Sequence, residues 1–136
     1  MTTTTAPTTT TSVAVGTRTV PVWKTGVKAA AIAAVATTAY AAVSHAAGVS
    51  YEISGKAIPL LGFGQLTFVF SLLGIGIAKL SRTRSRFVQI AVGLTLVSFL
   101  PDALANAATA TRLALMVSHA IAAVIVIPRL ASRLAD

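Results

Sequence analysis

Four long apolar runs dominate this chain and limit what it can fold into. Each run is close to the length that a helix needs to cross a bilayer, about 20 residues. The 136 residues are 55% hydrophobic and only 10% charged, whereas a soluble domain carries about 25% charged residues. A membrane β-barrel would instead show short segments of alternating polarity. The sequence therefore predicts an integral membrane protein built from helices.

The apolar and polar stretches divide the chain into a tail and a helical domain. Residues 1–19 are rich in threonine and have no helical or alternating period, so we expect a disordered tail. An O-glycosylated stalk is the alternative if this tail is exported. Residues 20–136 are expected to form an all-α transmembrane four-helix bundle. Its predicted helices span about 23–47, 58–80, 87–105 and 109–127.

Helix one is built mostly from alanine, with threonine and serine among the alanines. Small residues let helices approach closely, and hydroxyls can bond across them, so we expect this helix to lie buried between the others. Lys28 before the run and the pair Ser44 and Ala46 after it also loosely imitate a secretory signal. The run and the stretch before it are too long for one, so a retained membrane helix is favoured.

Prolines and glycines predict the remaining helix boundaries. The stretch GVSYEISGKA is expected to be a loop, with Tyr51 at the membrane interface. Pro59 suits the first turn of helix two, where its missing N–H costs nothing. Helix three must either continue past Pro101 to about residue 105 or stop short and leave a polar recess. Pro128 is predicted to end helix four.

The basic residues predict the topology. The net charge is +8, which in a soluble protein would indicate nucleic acid. Here the bases lie at the ends of apolar runs, so the positive-inside bias explains them and no nucleic-acid partner is expected. The group within KLSRTRSR could also bind anionic lipid, although a topology signal is favoured. In a plasma-membrane protein with both termini cytoplasmic, nine bases lie inside, namely Arg18, Lys24, Lys28, Lys79, Arg82, Arg84, Arg86, Arg129 and Arg133, while Lys56 and Arg112 lie outside.

Four polar residues near the last two helices form the candidate site: Asp102, Asn106, Arg112 and His119. A charge at the centre of a bilayer costs about 2.5–3.5 kcal/mol on insertion scales, so such residues need a role. Arg112 and His119 are seven positions apart and therefore share one helix face. We expect the four side chains to point toward helix one and to line a recess open to the outer side.

Each member of this cluster also has a simpler structural role. Asp102 could pair with Arg112, or both could reach the headgroups, since a long basic side chain can snorkel. His119 could relay protons or bind a ligand. Alternatively it is a neutral imidazole bonded to Thr37 or Thr38 of helix one, which is the favoured interpretation.

A sequence resemblance points to the same fold. It rests on the run ATATRLALMVSHAIAAVIVIP and on AAGVSYEI before Ile58 and Pro59. Together these resemble an uncharacterised family of small four-helix membrane proteins from high-GC Gram-positive bacteria. The resemblance covers about residues 23–130 and implies a fold and a membrane location, but no activity. Its most specific positions are Thr109, Thr111, Arg112, His119 and Pro128.

No pattern in the chain predicts a reaction. It has no cysteine, two histidines and no acidic pair, so thiolate chemistry is excluded and a metal site is disfavoured. Nucleophile elbows and phosphate loops are also missing, so we expect no enzyme, catalytic residue, metal or cofactor. The expected function is a non-enzymatic membrane component that binds or stabilises a membrane-protein partner or forms a homo-oligomer. A small transporter or channel is the alternative, and an enzyme acting on lipid has no supporting residues.

Overall fold

The computed structural model describes residues 21–81 and 83–136. This part of the chain contains four helices, and each is long and apolar enough to cross a membrane. The prediction of an all-helical chain with four membrane-length helices is therefore confirmed, while the predicted tail at residues 1–19 lies outside the described residues. The elements are α1 Val22–Ala46, β1 Glu52–Ile53, β2 Lys56–Ala57, α2 Leu60–Leu80, α3 Arg84–Leu104 and α4 Thr109–Ala131.

Backbone hydrogen bonds between loops show which helix ends lie together. The Ser54 amide donates to the Asn106 carbonyl at 2.9 Å, so β1 and β2 lie beside the turn between α3 and α4. The Arg84 amide donates to the Ala135 carbonyl at 2.7 Å, so the start of α3 lies beside the C-terminus. We call the first of these the hairpin end. The opposite end, where α1 begins and α4 finishes, is the basic end.

α1 turns one face of small residues toward its neighbours α2 and α4. Opposite this face lie Val35 and Val43, each 71% exposed. The expectation that helix one is enclosed by the other helices therefore holds for one face only, since its bulkier residues point outward. The buried positions recur at helical spacing and comprise Gly26, Ala29, Ala30, Ala33, Thr37 and Ala41.

α1 and α2 cross closely because the residues at their contact are small. A Cβ placed on Gly64 of α2 would collide with the Thr38 hydroxyl and lie 3.2 Å from the Ala34 carbonyl oxygen. The hydroxyls of Thr37 and Thr67 lie 3.0 Å apart across the same contact. Close approach and an interhelical hydroxyl contact are features that stabilise helix pairs in membranes.

α3 is the peripheral helix of the four. It packs along α4 and makes few contacts with α2, whereas α1 packs extensively on both α2 and α4. Among its residues only Phe87 and Asp102 are buried. Phe87 joins the apolar cluster at the basic end, and Asp102 lies near the hairpin end. The helix is thus held near its two ends, with a wide apolar surface between them.

Pro101 and Pro128 both lie within helices and do not end them. α3 continues through Pro101 to Leu104, which is the first of the two predicted outcomes. α4 continues through Pro128 to Ala131, so the prediction that Pro128 ends it is wrong. A proline inside a helix removes one backbone hydrogen bond. Near the end of α4 that loss is outweighed because Leu130 and Ala131 in the following turn are buried.

The stretch predicted as a loop between helices one and two contains a small β-hairpin. Glu52 pairs with Ala57 and Ile53 pairs with Lys56 in antiparallel register. Ser54 and Gly55 both have positive φ, 52° and 75°. Two positive φ values in a two-residue connection are the signature of a type I′ turn, whose twist suits paired strands.

Tyr51 anchors this hairpin on the helices. Its side chain is 1% exposed, so the ring packs within the protein. The ring packs edge-on against Phe63 with 4.7 Å between centroids, and the hydroxyl bonds to Ser44 of α1. A buried ring with a partner for its hydroxyl is a favourable arrangement for tyrosine, and the position of Tyr51 at a membrane interface stays a prediction.

Candidate functional site

Asp102 of α3 meets His119 of α4 near the hairpin end, which is a different pairing from the one expected. Asp102 Oδ2 lies 2.9 Å from His119 Nδ1. Within the described part of the chain, Arg112 forms no ion pair with Asp102, so that predicted pair is wrong. The predicted bond from His119 to Thr37 or Thr38 is also wrong, since those hydroxyls donate to carbonyls of α1.

The direction of side chains on antiparallel helices explains this pairing. A Cα–Cβ bond leans toward the N-terminus of its own helix. α3 begins at the basic end, so Asp102 leans away from the hairpin end. α4 begins at the hairpin end, so His119 leans toward it and the two side chains converge. Arg112, seven residues before His119, leans beyond the level of Asp102 and cannot meet it in the same way.

Asp102 is buried, whereas its partner is partly open. Asp102 is 8% exposed, while the His119 side chain is 40% exposed. His119 Nδ1 also lies 3.1 Å from the Leu115 carbonyl. A single N–H cannot be well directed at both acceptors, so Asp102 Oδ2 has a close polar contact without a well-aligned hydrogen bond. A protonated imidazole here would neutralise a carboxylate that is otherwise costly to bury.

Phe99 covers one side of the imidazole. Its ring lies edge-on to His119, with 6.4 Å between centroids and 71° between the ring planes. Phe99 also forms one end of a groove of about 400 Å³ between α3 and α4, which we call the α3–α4 groove. The Asp102–His119 contact therefore lies beside one end of an apolar groove. Other side chains that line this groove are Val92, Thr95, Leu96, Ala120 and Ala123.

Arg112 binds backbone oxygens at the end of α3. Its Nε donates to the Ala107 carbonyl at 3.0 Å, and one terminal nitrogen donates to the Ala103 carbonyl at 3.3 Å. The last carbonyls of a helix have no partner within it and carry partial negative charge. The guanidinium therefore ties α4 to the end of α3 and to the following turn.

Asn106 lies in the turn between α3 and α4 and is exposed. Its backbone oxygen accepts the hydrogen bond from Ser54, and its side chain has no hydrogen-bond partner among the described residues. The structure thus places Asp102, Arg112 and His119 along the contact between α3 and α4, with Asn106 beside the hairpin. Their contacts are with these two helices and the turn, not with α1, and their role in function remains a prediction.

Three further polar residues near this end were not part of the predicted cluster. Tyr51 and its partner Ser44 hold the hairpin, but a tyrosine in a loop equally suits a membrane interface, so no local signal reveals its burial. Thr111 of α4 is fully buried, and its hydroxyl has no partner in the portion that the structure describes. Thr111 is one of the positions that carry the family resemblance, which was the available signal.

The described residues contain no group of three or more histidine, aspartate or glutamate side chains that could hold a metal ion. Asp102 and His119 together supply two ligands, whereas structural zinc sites use four and catalytic ones three. The arrangement can instead hold or exchange a proton between a carboxylate and an imidazole where α3 meets α4.

Comparison with known proteins places the chain in a family. A model described as a family of unknown function, DUF6069, matches residues 17–136. No curated protein and no solved structure matches the chain. The matched part includes all four helices, the hairpin and every residue of the candidate site. The chain therefore belongs to DUF6069, a family of unknown function.

Proposed function

We propose that this protein is a non-enzymatic membrane component that binds another membrane-spanning segment through the outward face of α3. The observation that carries the proposal is the packing of α3, a helix of 21 residues that lies along one neighbour. Transmembrane helices associate by close packing and by hydrogen bonds across the contact. α1 and α4 each pack against more than one neighbouring helix. α3 packs mainly against α4, so its opposite face contacts no other described helix along most of its length.

One stripe of α3 has the chemistry of a helix–helix contact. Gln89, Gly93, Leu96 and Leu100 follow one another at spacings of four, three and four, so they share a face, which we call the α3 outer face. All four are exposed, and Leu96 also borders the α3–α4 groove. A Cβ on Gly93 would meet no atom within 4 Å, so a second helix has room to approach there.

Gln89 adds a polar argument for a partner on the α3 outer face. Its amide has no hydrogen bond to any residue that the structure describes, and it lies five residues inside the start of α3. An amide in hydrocarbon is costly when unpaired, and glutamine in membrane helices bonds across to neighbouring helices. A partner helix with a matching polar group would satisfy it.

The distribution of bases supports a location in the plasma membrane with both termini cytoplasmic. The family resemblance suggests a high-GC Gram-positive bacterium as the source of that membrane. The hairpin end carries Lys56 and Arg112, and an excess of bases at the opposite end favours a cytoplasmic position for it. The basic end carries Lys24, Lys28, Lys79, Arg84, Arg86, Arg129 and Arg133.

Photocrosslinking from the α3 outer face tests this function. We would place a photoreactive phenylalanine at Leu96 and, as a matched control, at Val35, an exposed apolar residue on the outer face of α1. Illumination of whole cells should give a discrete protein adduct from Leu96 and none from Val35. An adduct of twice the mass would identify a second copy, and any other discrete mass would identify a different partner.

The absence of a discrete adduct at Leu96, or equal adducts at both positions, would contradict the proposal. The absence of an adduct at Leu96 would mean that α3 faces lipid, and equal adducts at both positions would mean that the contact is not specific to the α3 outer face. A tryptic map of the adduct would also locate the partner's contact.

A proton-coupled transporter is the second candidate, and the buried Asp102–His119 pair is the observation that favours it. Ionisable pairs within membrane helices often mark proton pathways. Purified protein in liposomes should then dissipate an imposed pH gradient, and Asp102→Asn should abolish that flux. Flux no greater than that of empty liposomes would remove this candidate without affecting the first.

A further inference from the structure

A second groove lies at the basic end, between the start of α1 and the end of α4. Its volume is about 380 Å³. We call it the α1–α4 groove, and its lining includes Thr25, Lys28 and Ile32 from α1 and Arg129, Ser132 and Arg133 from the end of α4. It is separate from the α3 outer face and from the Asp102–His119 pair.

The α1–α4 groove carries positive charge that no acid in the chain neutralises. The protein has three acidic residues, and the structure describes all of them. Glu52 is in the hairpin at the other end, Asp102 pairs with His119, and Asp136 lies 3.8 Å from Arg84. Lys28, Arg129 and Arg133 therefore line the groove without an acidic partner, and a groove lined by charges of one sign attracts an ion of the opposite sign.

The contacts of Lys24 and Arg129 separate a base that lies outside the groove from one that lines it. The Lys24 ammonium lies 5.6 Å from the centre of the Trp23 ring, in a cation–π contact outside the groove. Arg129 donates to the Ile125 carbonyl at 2.7 Å, which holds its guanidinium against α4. Thr25 lines the groove beside these bases and can offer a hydroxyl donor to an oxyanion. The Ser132 hydroxyl donates to the Arg129 carbonyl at 3.0 Å.

The groove changes from polar to apolar along the helix axis. Thr25 and Lys28 lie in the first two turns of α1, and Ile32 lies one turn further from the basic end. That turn corresponds to about 6 Å along the helix. Ile32 is half exposed and continues into the apolar outer face of α1. This order of charge, hydroxyl and hydrocarbon matches a phospholipid, whose phosphate sits at the membrane surface above its acyl chains.

We propose that the α1–α4 groove binds one anionic glycerophospholipid, with its phosphate among Lys28, Arg129 and Arg133 and an acyl chain along Ile32. A soluble phosphate would use the basic part alone and leave the apolar part unfilled. The continuity between the two parts is therefore the reason for choosing a lipid. The bound lipid would join α1 to α4 at the end where the two helices finish in water.

Native mass spectrometry after reconstitution with equal amounts of phosphatidylglycerol and phosphatidylcholine tests the site. The wild-type chain should retain one phosphatidylglycerol in preference to phosphatidylcholine. The double variant Lys28→Ala, Arg133→Ala should retain about 25-fold less, because each base near an anionic lipid contributes roughly fivefold. The control Lys79→Ala, Arg86→Ala removes two exposed bases from the same end, outside the groove, and should change retention less than about threefold.

Three results would overturn the proposal. Equal loss in both double variants would mean a general attraction between a basic surface and anionic lipid. Equal retention of phosphatidylcholine would mean an apolar contact without phosphate recognition. Displacement of the lipid by millimolar inorganic phosphate would identify a site for a soluble anion.

Two more variants keep the test decisive if the double variant folds poorly. Thr25→Val removes one hydroxyl at nearly constant volume and should lower phosphatidylglycerol retention. Arg133→Lys keeps the charge and should restore most of the retention that Arg133→Ala loses. If the single variants Thr25→Val and Arg133→Ala both retain phosphatidylglycerol as the wild type does, the proposed site is wrong.

Discussion

At the scale of single residues, the contact between Asp102 and His119 joins α3 to α4 where the two helices otherwise meet mainly through apolar side chains. The carboxylate is buried and the imidazole is partly open. Loss of the imidazole would leave the carboxylate without its charge partner, which is more costly than loss of both groups. Arg112 nearby is satisfied by backbone oxygens and does not share this dependence.

A double-mutant cycle on Asp102→Ala and His119→Ala should therefore give a coupling energy of about 1 kcal/mol, since coupled contacts range from about 0.5 to 3 and His119 is partly solvated. The measurement is the free energy of unfolding in detergent. The matched cycle on Asp102→Ala and Arg112→Ala should give a value within about 0.5 kcal/mol of zero. Equal coupling energies in both cycles would show that Asp102 is not coupled to His119 more strongly than to Arg112.

Gly64 is the second residue whose identity the packing explains. A methyl group at Gly64 would collide with Thr38 and crowd the Ala34 carbonyl, so Gly64→Ala should destabilise the protein by about 1–3 kcal/mol. Gly76 of the same helix has open space at its Cβ position. Gly76→Ala should be neutral or stabilising, because alanine favours helix by up to about 1 kcal/mol over glycine. Thermal unfolding in detergent compares the two variants. Equal changes in Tm would contradict the close crossing of α1 and α2 at Gly64.

At the scale of elements, α1 and α3 occupy opposite positions in the packing. α1 contacts two helices through small residues, and its valines point outward. α3 contacts one helix and is held near its ends by Phe87 and Asp102. These positions follow from side-chain size, because alanine and glycine let α2 and α4 approach the α1 backbone closely.

The two faces of α1 should respond differently to the same substitution. Ala33 is fully buried and Ala39 is exposed. Ala33→Leu should lower the free energy of unfolding by about 1–3 kcal/mol through overpacking, whereas Ala39→Leu should leave it nearly unchanged. Chemical denaturation in detergent micelles measures both. If neither variant, nor Leu at Ala34 or Thr38, alters stability, helix one is not packed as described.

At the scale of the whole molecule, the two ends differ: a β-hairpin closes one end, and most of the basic residues lie at the other. The hairpin end is closed by β1 and β2, which are bonded to the α3–α4 turn through Ser54 and Asn106. The basic end holds most of the bases and the α1–α4 groove. A bilayer with anionic lipid in its cytoplasmic leaflet would favour the basic end on that side.

Cysteine labelling of intact cells tests this orientation, since the chain has no cysteine of its own. A membrane-impermeant maleimide should label Ser54→Cys and leave Thr83→Cys unlabelled. Both should react after the membrane is permeabilised, which controls for accessibility. The reverse pattern in intact cells would invert the topology and with it the predicted cytoplasmic termini.

The sequence alone was sufficient to predict the four helices and the division of charge. Each depends on a local property, because the length of an apolar run decides whether a helix can span a membrane, and bases between runs mark their ends. Some boundaries shifted for reasons that a linear pattern does not contain. α3 begins at Arg84, three residues earlier than predicted, and Thr83 caps it by accepting from the Arg86 amide at 3.4 Å. α4 runs past Pro128 because Leu130 packs in the core.

Partners of the polar residues were decided by the tertiary structure. The sequence predicted that Asp102, Arg112 and His119 would come close, since spacing puts the last two on one helix face. Which atoms meet depends on the lean of each side chain and on which helix faces which, and neither is a function of spacing. The buried position of Tyr51 and the peripheral position of α3 have the same origin, because both arise from contacts between segments far apart in the chain.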